Sequence, residues 1–330
     1  MKRFRFGGMF FLISCILWLG RALAADCPYK QCTCSLQNIM CNELGLTAMP
    51  QITTVVNTYF TIAQFDINNI TTVPGGSLPA NLSQISFIRN PISFMDLDAF
   101  DGSANTLTTL TFFGANFYTL PDAFLHLNVL SWLEISESIV KDWNDNVMKH
   151  IGASLNTLSI ENVEMNTWPS WMQYCTNLTD LGISGASIGD IPDNGLDSLV
   201  NTAQNLELSN NSFTKIPKAV SKMTAVKFLG FQANKISDVS WLPQNAKLES
   251  ISLFGNRLQD SKQLSTAILP YVSTLNGIEL HTNLLTSFPD LGAFTLINEL
   301  DFRRNKLIDP NSGSVPTGLV DLKLGNKLRV

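Results

Sequence analysis

Residues 203–213, AQNLELSNNSF, and residues 226–236, VKFLGFQANKI, carry one pattern twice. Apolar side chains stand at positions 1, 4, 6 and 11, with Asn at position 9: Ala203, Leu206, Leu208, Asn211 and Phe213, then Val226, Leu229, Phe231, Asn234 and Ile236. The apolar step from position 4 to position 6 has period two, which specifies a strand with one buried face. Working outward, Leu82, Leu248, Leu275 and Ile297 lead copies that place Asn90, Asn256, Asn283 and Asn305 at the ninth position. Leu107, Leu130, Leu155 and Leu178 lead four more, with Ala115, Ser138, Val163 and Ala186 in the Asn place. The ten copies are 22 to 27 residues apart. Looser copies flank them near Phe65–Ile70 and from Leu319.

Units of this period cannot bury their apolar edge alone. Stacked, they pair their strands into a parallel sheet over one elongated interior. The ninth-position Asn falls where the chain turns inward, so its amide is expected to bond backbone groups of the neighbouring turn. Asn90, Asn211, Asn234, Asn256, Asn283 and Asn305 are thus read as a buried structural ladder rather than as catalytic groups. Where Asn is absent the ladder should be interrupted and the copies looser, or patched by Asn116 and Asn162 one place away. Val73-Pro74, Leu120-Pro121, Trp168-Pro169, Ile191-Pro192, Ile216-Pro217 and Phe288-Pro289 mark the return segments. Proline there disfavours a regular ladder and favours extended or single-turn structure. Phe100, Phe124 and Phe294 are expected to fill the outer edge of the core.

The N-terminus reads as an export signal over residues 1–24: a basic start (Lys2, Arg3, Arg5), an apolar run Met9–Leu19, and Ala22-Leu23-Ala24 before the cut. Its removal takes four of the 22 basic residues (Lys2, Arg3, Arg5, Arg21) and none of the 27 acidic ones, leaving 18 against 27, a formal charge of −9. With no extended basic run, nucleic acid is excluded as a main partner. A 45% hydrophobic content excludes a disordered chain. No second apolar stretch is long enough for membrane insertion. Cys27, Cys32, Cys34 and Cys41 crowd into a cap over residues 25–50, leaving residues 51–330 as an array of about 11–12 copies without a cysteine-rich C-terminal cap. In an exported chain the four cysteines favour disulfides over zinc, and three pairings are open. Cys175 is expected to be a buried free thiol.

The repeat resembles that of the leucine-rich-repeat family over nearly the whole mature chain. The resemblance implies an α/β solenoid (horseshoe) with a parallel sheet on its concave face and short 3-10, helical or irregular convex segments. Cys27-Pro28-x-x-x-Cys32-x-Cys34 with Cys41 and Gly45–Pro50 resembles the N-terminal flank of extracellular members. That resemblance implies the pairs Cys27–Cys34 and Cys32–Cys41. Within the family, the runs Thr71–Pro74, Phe100–Ser103 and Thr106–Leu110 are similar to secreted arthropod proteins of the kind that form the non-catalytic subunit of Oplophorus-type luciferase. This implies an accessory subunit, and the uncapped C-terminal end offers a place for oligomerisation.

Function should lie at positions 3, 5 and 7, which face out of the concave sheet. Phe113, Trp132, Phe228 and Phe254 are candidate anchors, Glu134, Glu161 and Glu207 an acidic floor, and Glu279, His281 and Arg303 a mixed end. Exposed aromatics and Arg are what interfaces favour, and the acids suit a basic or polar protein partner. Asn69, Asn81, Asn177 and Asn210 open N-x-S/T sequons for glycosylation. No catalytic motif, metal-binding pattern or cofactor loop occurs, so neither cofactor nor metal is expected and the chain reads as non-enzymatic. The leading reading is a secreted, extracellular protein-binding module. The alternatives are a receptor, adhesion or innate-immune ectodomain and, remotely, a glycosidase-like hydrolase using Glu134 and Glu161.

Overall fold

The computed structural model describes residues 27–53, 60–308 and 312–324. The expected signal segment 1–24 and the last residues, 325–330, lie outside them. Among the described residues, twelve strands form one sheet. Its first two, Thr33–Ser35 and Asn38–Met40, pair antiparallel as a hairpin, and every later neighbour is parallel. The fourth-position residues lie in register from Ile85 through Leu110, Leu133, Leu158, Leu181, Leu206, Leu229 and Ile251 to Ile278. These side chains and their sixth-position partners are buried, so the alternation in sequence becomes the inner wall of a single core. Strands Glu299–Asp301 and Asp321–Lys323 continue the series as a separate parallel pair.

In the N-terminal third the interior is aromatic. Phe65, Phe87 and Phe112, each at a sixth position, stack at centroid distances of 5.4 and 5.6 Å. Tyr29 packs edge-on against Phe65 and donates its hydroxyl proton to the Ser77 carbonyl. Disulfides join Cys27 to Cys34 and Cys32 to Cys41 over this end. Cys175 is unbridged and buried, and burial pushes its thiol up to about 12.

The Asn side chains bridge consecutive copies. Asn234 donates to the Leu208 carbonyl and accepts from the Phe213 N–H, and Asn256 does the same with Phe231 and Ile236. Asn90, Asn211, Asn283 and Asn305 repeat the arrangement. Asn68 adds a rung that the template did not single out, donating to Cys41 and accepting from Leu44 and Leu46.

Two expectations need correction. Asn116 and Asn162 do not patch the gap: Asn116 is exposed on a strand, and the amide of Asn162 turns out to Glu137. The Ser138 hydroxyl takes over one rung, accepting from the Ala115 N–H and donating to the Ser136 carbonyl. The return segments also contain a regular ladder where none was expected. Asn116–Thr119 pairs in parallel with Ile139–Asp142, and Thr72–Val73 with Phe94–Met95. Proline follows Thr72–Val73 and Asn116–Thr119 and is absent from their partner strands, so it does not interrupt the pairs; Pro121, Pro169 and Pro217 instead introduce 3-10 turns at Asp122–His126, Ser170–Tyr174 and Lys218–Lys222. Phe100, Phe124 and Phe294 are buried.

Among the described residues, each copy from Phe65 to Arg304 turns off its strand through a left-handed residue at position 8. Gly114, Gly185 and Gly255 serve in three copies. Ile67, Arg89, Glu137, Asn162, Asn210, Ala233, Thr282 and Arg304 serve in the others, with φ between 48° and 57°. The left-handed conformation costs about 1–2 kcal/mol for a residue with a Cβ. Neighbouring copies hold it in place: from Ile67 to Thr282 the N–H of the left-handed residue donates to the seventh-position carbonyl of the next copy, as Arg89 does to Phe113, Glu137 to Glu161, Ala233 to Phe254 and Thr282 to Arg303.

Candidate functional site

A hollow of about 470 Å³ opens on the solvent face of the sheet. Small residues at outward positions create it, among them Ser159, Gly182, Ser184, Ser209, Gly230, Ser250 and Ser252. Gly230 is required by a close approach. A Cβ there would fall 1.9 Å from Glu207 Oε2, so the missing side chain lets Glu207 lie flat across the next strand.

Six of the sequence-predicted residues converge on this hollow: Glu161, Glu207, Phe228, Phe254, Glu279 and His281. Glu207 is held by the Ser209 N–H and the Gln232 Nε2 amide, both donating to its Oε1. Glu279 accepts from the Ser252 hydroxyl at 2.7 Å. The His281 ring stacks on Phe254 with centroids 4.5 Å apart and planes 16° from parallel.

The other four candidates lie outside it. Phe113 sits under the Arg89 guanidinium at 5.9 Å, and Trp132 stands exposed on the next strand. Arg303 is engaged by its own Asp301, with Nε to Oδ1 at 3.0 Å and Nη2 to Oδ2 at 2.6 Å. Glu134 lies beside the rim. Burial raises its pKa, with the Glu161 charge adding to the shift and the Ser136 hydroxyl opposing it. Glu161 is also raised, first by burial and then by Glu137. All four sequon asparagines are exposed, and Asn210 occupies a left-handed corner next to the hollow.

Sequence reasoning missed the small residues; it placed Gln232 on this face, between Phe228 and Phe254, without giving it a role. Gln232 lies at a seventh position, and its Oε1 is buried without a hydrogen-bond partner among the described residues. The signal was present as a run of Ser and Gly at positions 3, 5 and 7 of adjacent copies, but each is unremarkable within its own repeat. Among the described residues there is no cluster of three metal-ligating side chains, and no helix is long and apolar enough to cross a membrane.

A chain of the octameric complex of Latrophilin 3 (Lec, Olf), Unc5D (Ig, Ig2, TSP1) and FLRT2 (LRR) superposes with a TM-score of 0.59 at 14% identity, over 90% of this chain and 91% of that one. The fold is a leucine-rich-repeat solenoid. A leucine-rich-repeat protein of Leptospira interrogans matches with a TM-score of 0.47 at 17% identity, over 74% of this chain and 72% of its own. No family model and no curated protein matches the sequence. The hollow therefore lies on the concave, sheet-bearing face of a leucine-rich-repeat solenoid, and the 3-10 turns on its convex back.

Proposed function

We propose that the chain is an exported, non-enzymatic module that binds a protein partner through its concave face. The hollow carries this reading: aromatic side chains and carboxylates from consecutive strands share one solvent-open depression on a rigid sheet. Interfaces favour such half-exposed aromatics on preorganised elements. Export is supported by the sequence of residues 1–24 and by the two disulfides, which persist in oxidising compartments. The accessory-subunit role rests on the three short runs quoted above; copurification of a catalytic partner from the native fluid would establish it. Glycans at Asn69, Asn81, Asn177 and Asn210 belong to the same proposal, and enzymatic deglycosylation with mass analysis tests each site.

The deciding experiment is capture of binding proteins from the native fluid on the immobilised chain, followed by titration of the captured partner. Phe228→Asp is expected to abolish saturable binding, and Trp132→Asp to weaken it. Unchanged affinity in both variants, with melting curves like that of the parent, rejects the concave face as the binding surface.

A further inference from the structure

The fixed charge in the hollow has one sign. Glu161, Glu207 and Glu279 bring carboxylates, whereas no Lys or Arg is among the lining residues. The Gln232 amide hydrogens face Glu207 Oε1 at 2.9 Å. Exchanging its oxygen and nitrogen would set two oxygens against each other, so the Oε1 assignment stands and this buried atom is an acceptor without a donor. Glu207 Oε2 lies over the bare Cα of Gly230, where no side chain shields it. Phe228 and the stacked Phe254–His281 pair bring flat aromatic surface to the same depression.

We propose that this hollow receives a guanidinium group, the side chain of an arginine on the partner. The proposal rests on the concave face being the binding surface and names the chemistry of its ligand. Guanidinium is a planar cation with five N–H donors in a fixed fork. It can meet an open carboxylate oxygen such as Glu207 Oε2 while lying flat on an aromatic ring. An ammonium is a point charge that neither stacks nor bridges in this way. The adjacent strand already displays the pairing within the chain, where Arg303 grips Asp301 through two nitrogens.

The probe is N-acetyl-arginine amide, titrated into the full-length protein at low salt and followed by ligand-detected saturation-transfer NMR. The neutral isostere N-acetyl-citrulline amide and N-acetyl-lysine amide serve as comparators. The arginine probe is expected to saturate, and citrulline to bind about tenfold or more weakly, with lysine also weaker than arginine. Glu207→Gln keeps the size and polarity of the side chain and should weaken the arginine probe about tenfold. Gly230→Ala should do the same by displacing Glu207, and thermal melting verifies that both variants fold. Arginine binding no better than citrulline, or unchanged in a folded Glu207→Gln protein, overturns the proposal. If that happens while Phe228→Asp still abolishes partner capture, the concave-face reading stands and only its ligand chemistry falls; if Phe228→Asp is also silent, both fall.

Discussion

The copies led by Leu107, Leu130, Leu155 and Leu178 join their strands by backbone along five residues, whereas those led by Ala203 through Ile297 join by backbone over three residues and then by the Asn side chain. In the first group the strands run five residues, as in Thr109–Phe113, Trp132–Ser136, Thr157–Glu161 and Asp180–Ser184. In the second they run three, as in Asn205–Glu207, Phe228–Gly230, Ser250–Ser252 and Gly277–Glu279. The Asn amide accounts for the difference. It occupies the sixth-position carbonyl of the preceding copy, which a longer backbone ladder would otherwise use. Where Ala, Ser or Val stands instead, pairing carries on through Phe112↔Ile135 and Phe113↔Ser136. Losing the Asn therefore lengthens the sheet where a looser region was expected. The hollow spans the change of regime, from Glu161 in the long-strand copies to Glu279 in the short-strand ones.

Four substitutions test this contrast. The largest effect is expected from Phe112→Ala, which removes the ring joining the aromatic stack to Phe117 and Phe124 in the long-strand copies. Its cost should be about 3–5 kcal/mol, read as a lowered urea midpoint. Asn256→Ala should cost about 2–3 kcal/mol by leaving the Phe231 carbonyl and the Ile236 N–H unpaired in the core. If it costs nothing, backbone pairing can extend into the short-strand copies and the contrast is not set by Asn. Val163→Asn supplies the family residue to a long-strand copy. It should destabilise by about 1–3 kcal/mol, because the amide enters a site whose sixth-position carbonyl is already paired; a gain in stability would show the long strands to be a weak substitute. The smallest effect is expected from Glu134→Gln. Burial and Glu161 raise the Glu134 pKa in the folded chain, so its ionised form opposes folding. The stability of the parent should thus rise as pH falls through the raised value. Glu134→Gln should melt higher than the parent at pH 7, and the two should converge below about pH 4, where the carboxyl is protonated in both states.

Much of the strand frame was legible because positions 4 and 6 obey a strict local period. Ile85, Leu133 and Ile251 are where the alternation put them, as are the Asn rungs. The return arcs were not legible. Asn116–Thr119 and Ile139–Asp142 form a ladder only because two copies present short extended segments at the same height, and neither segment announces this alone. Helices Asp145–Ile151 and Ser261–Ile268 are likewise too short to show a periodic stripe. For the surface, reading outward residues one by one found Glu207, Phe228 and His281. It also included Arg303, which the structure ties to Asp301, and it placed Gln232 on the face without a role, because that role comes from the neighbour that engages its amide.

Most of the left-handed corners carry ordinary side chains, Ile67 and Thr282 among them, so the bend is dictated by the next copy and not by the residue that makes it. The arc accordingly has a minimum length. A peptide holding a single copy has nothing to bend against and should relax to an extended chain. Excising one whole copy from the interior brings two equivalent edges together and leaves each surviving corner with a carbonyl to meet, so this architecture should tolerate shortening by complete units.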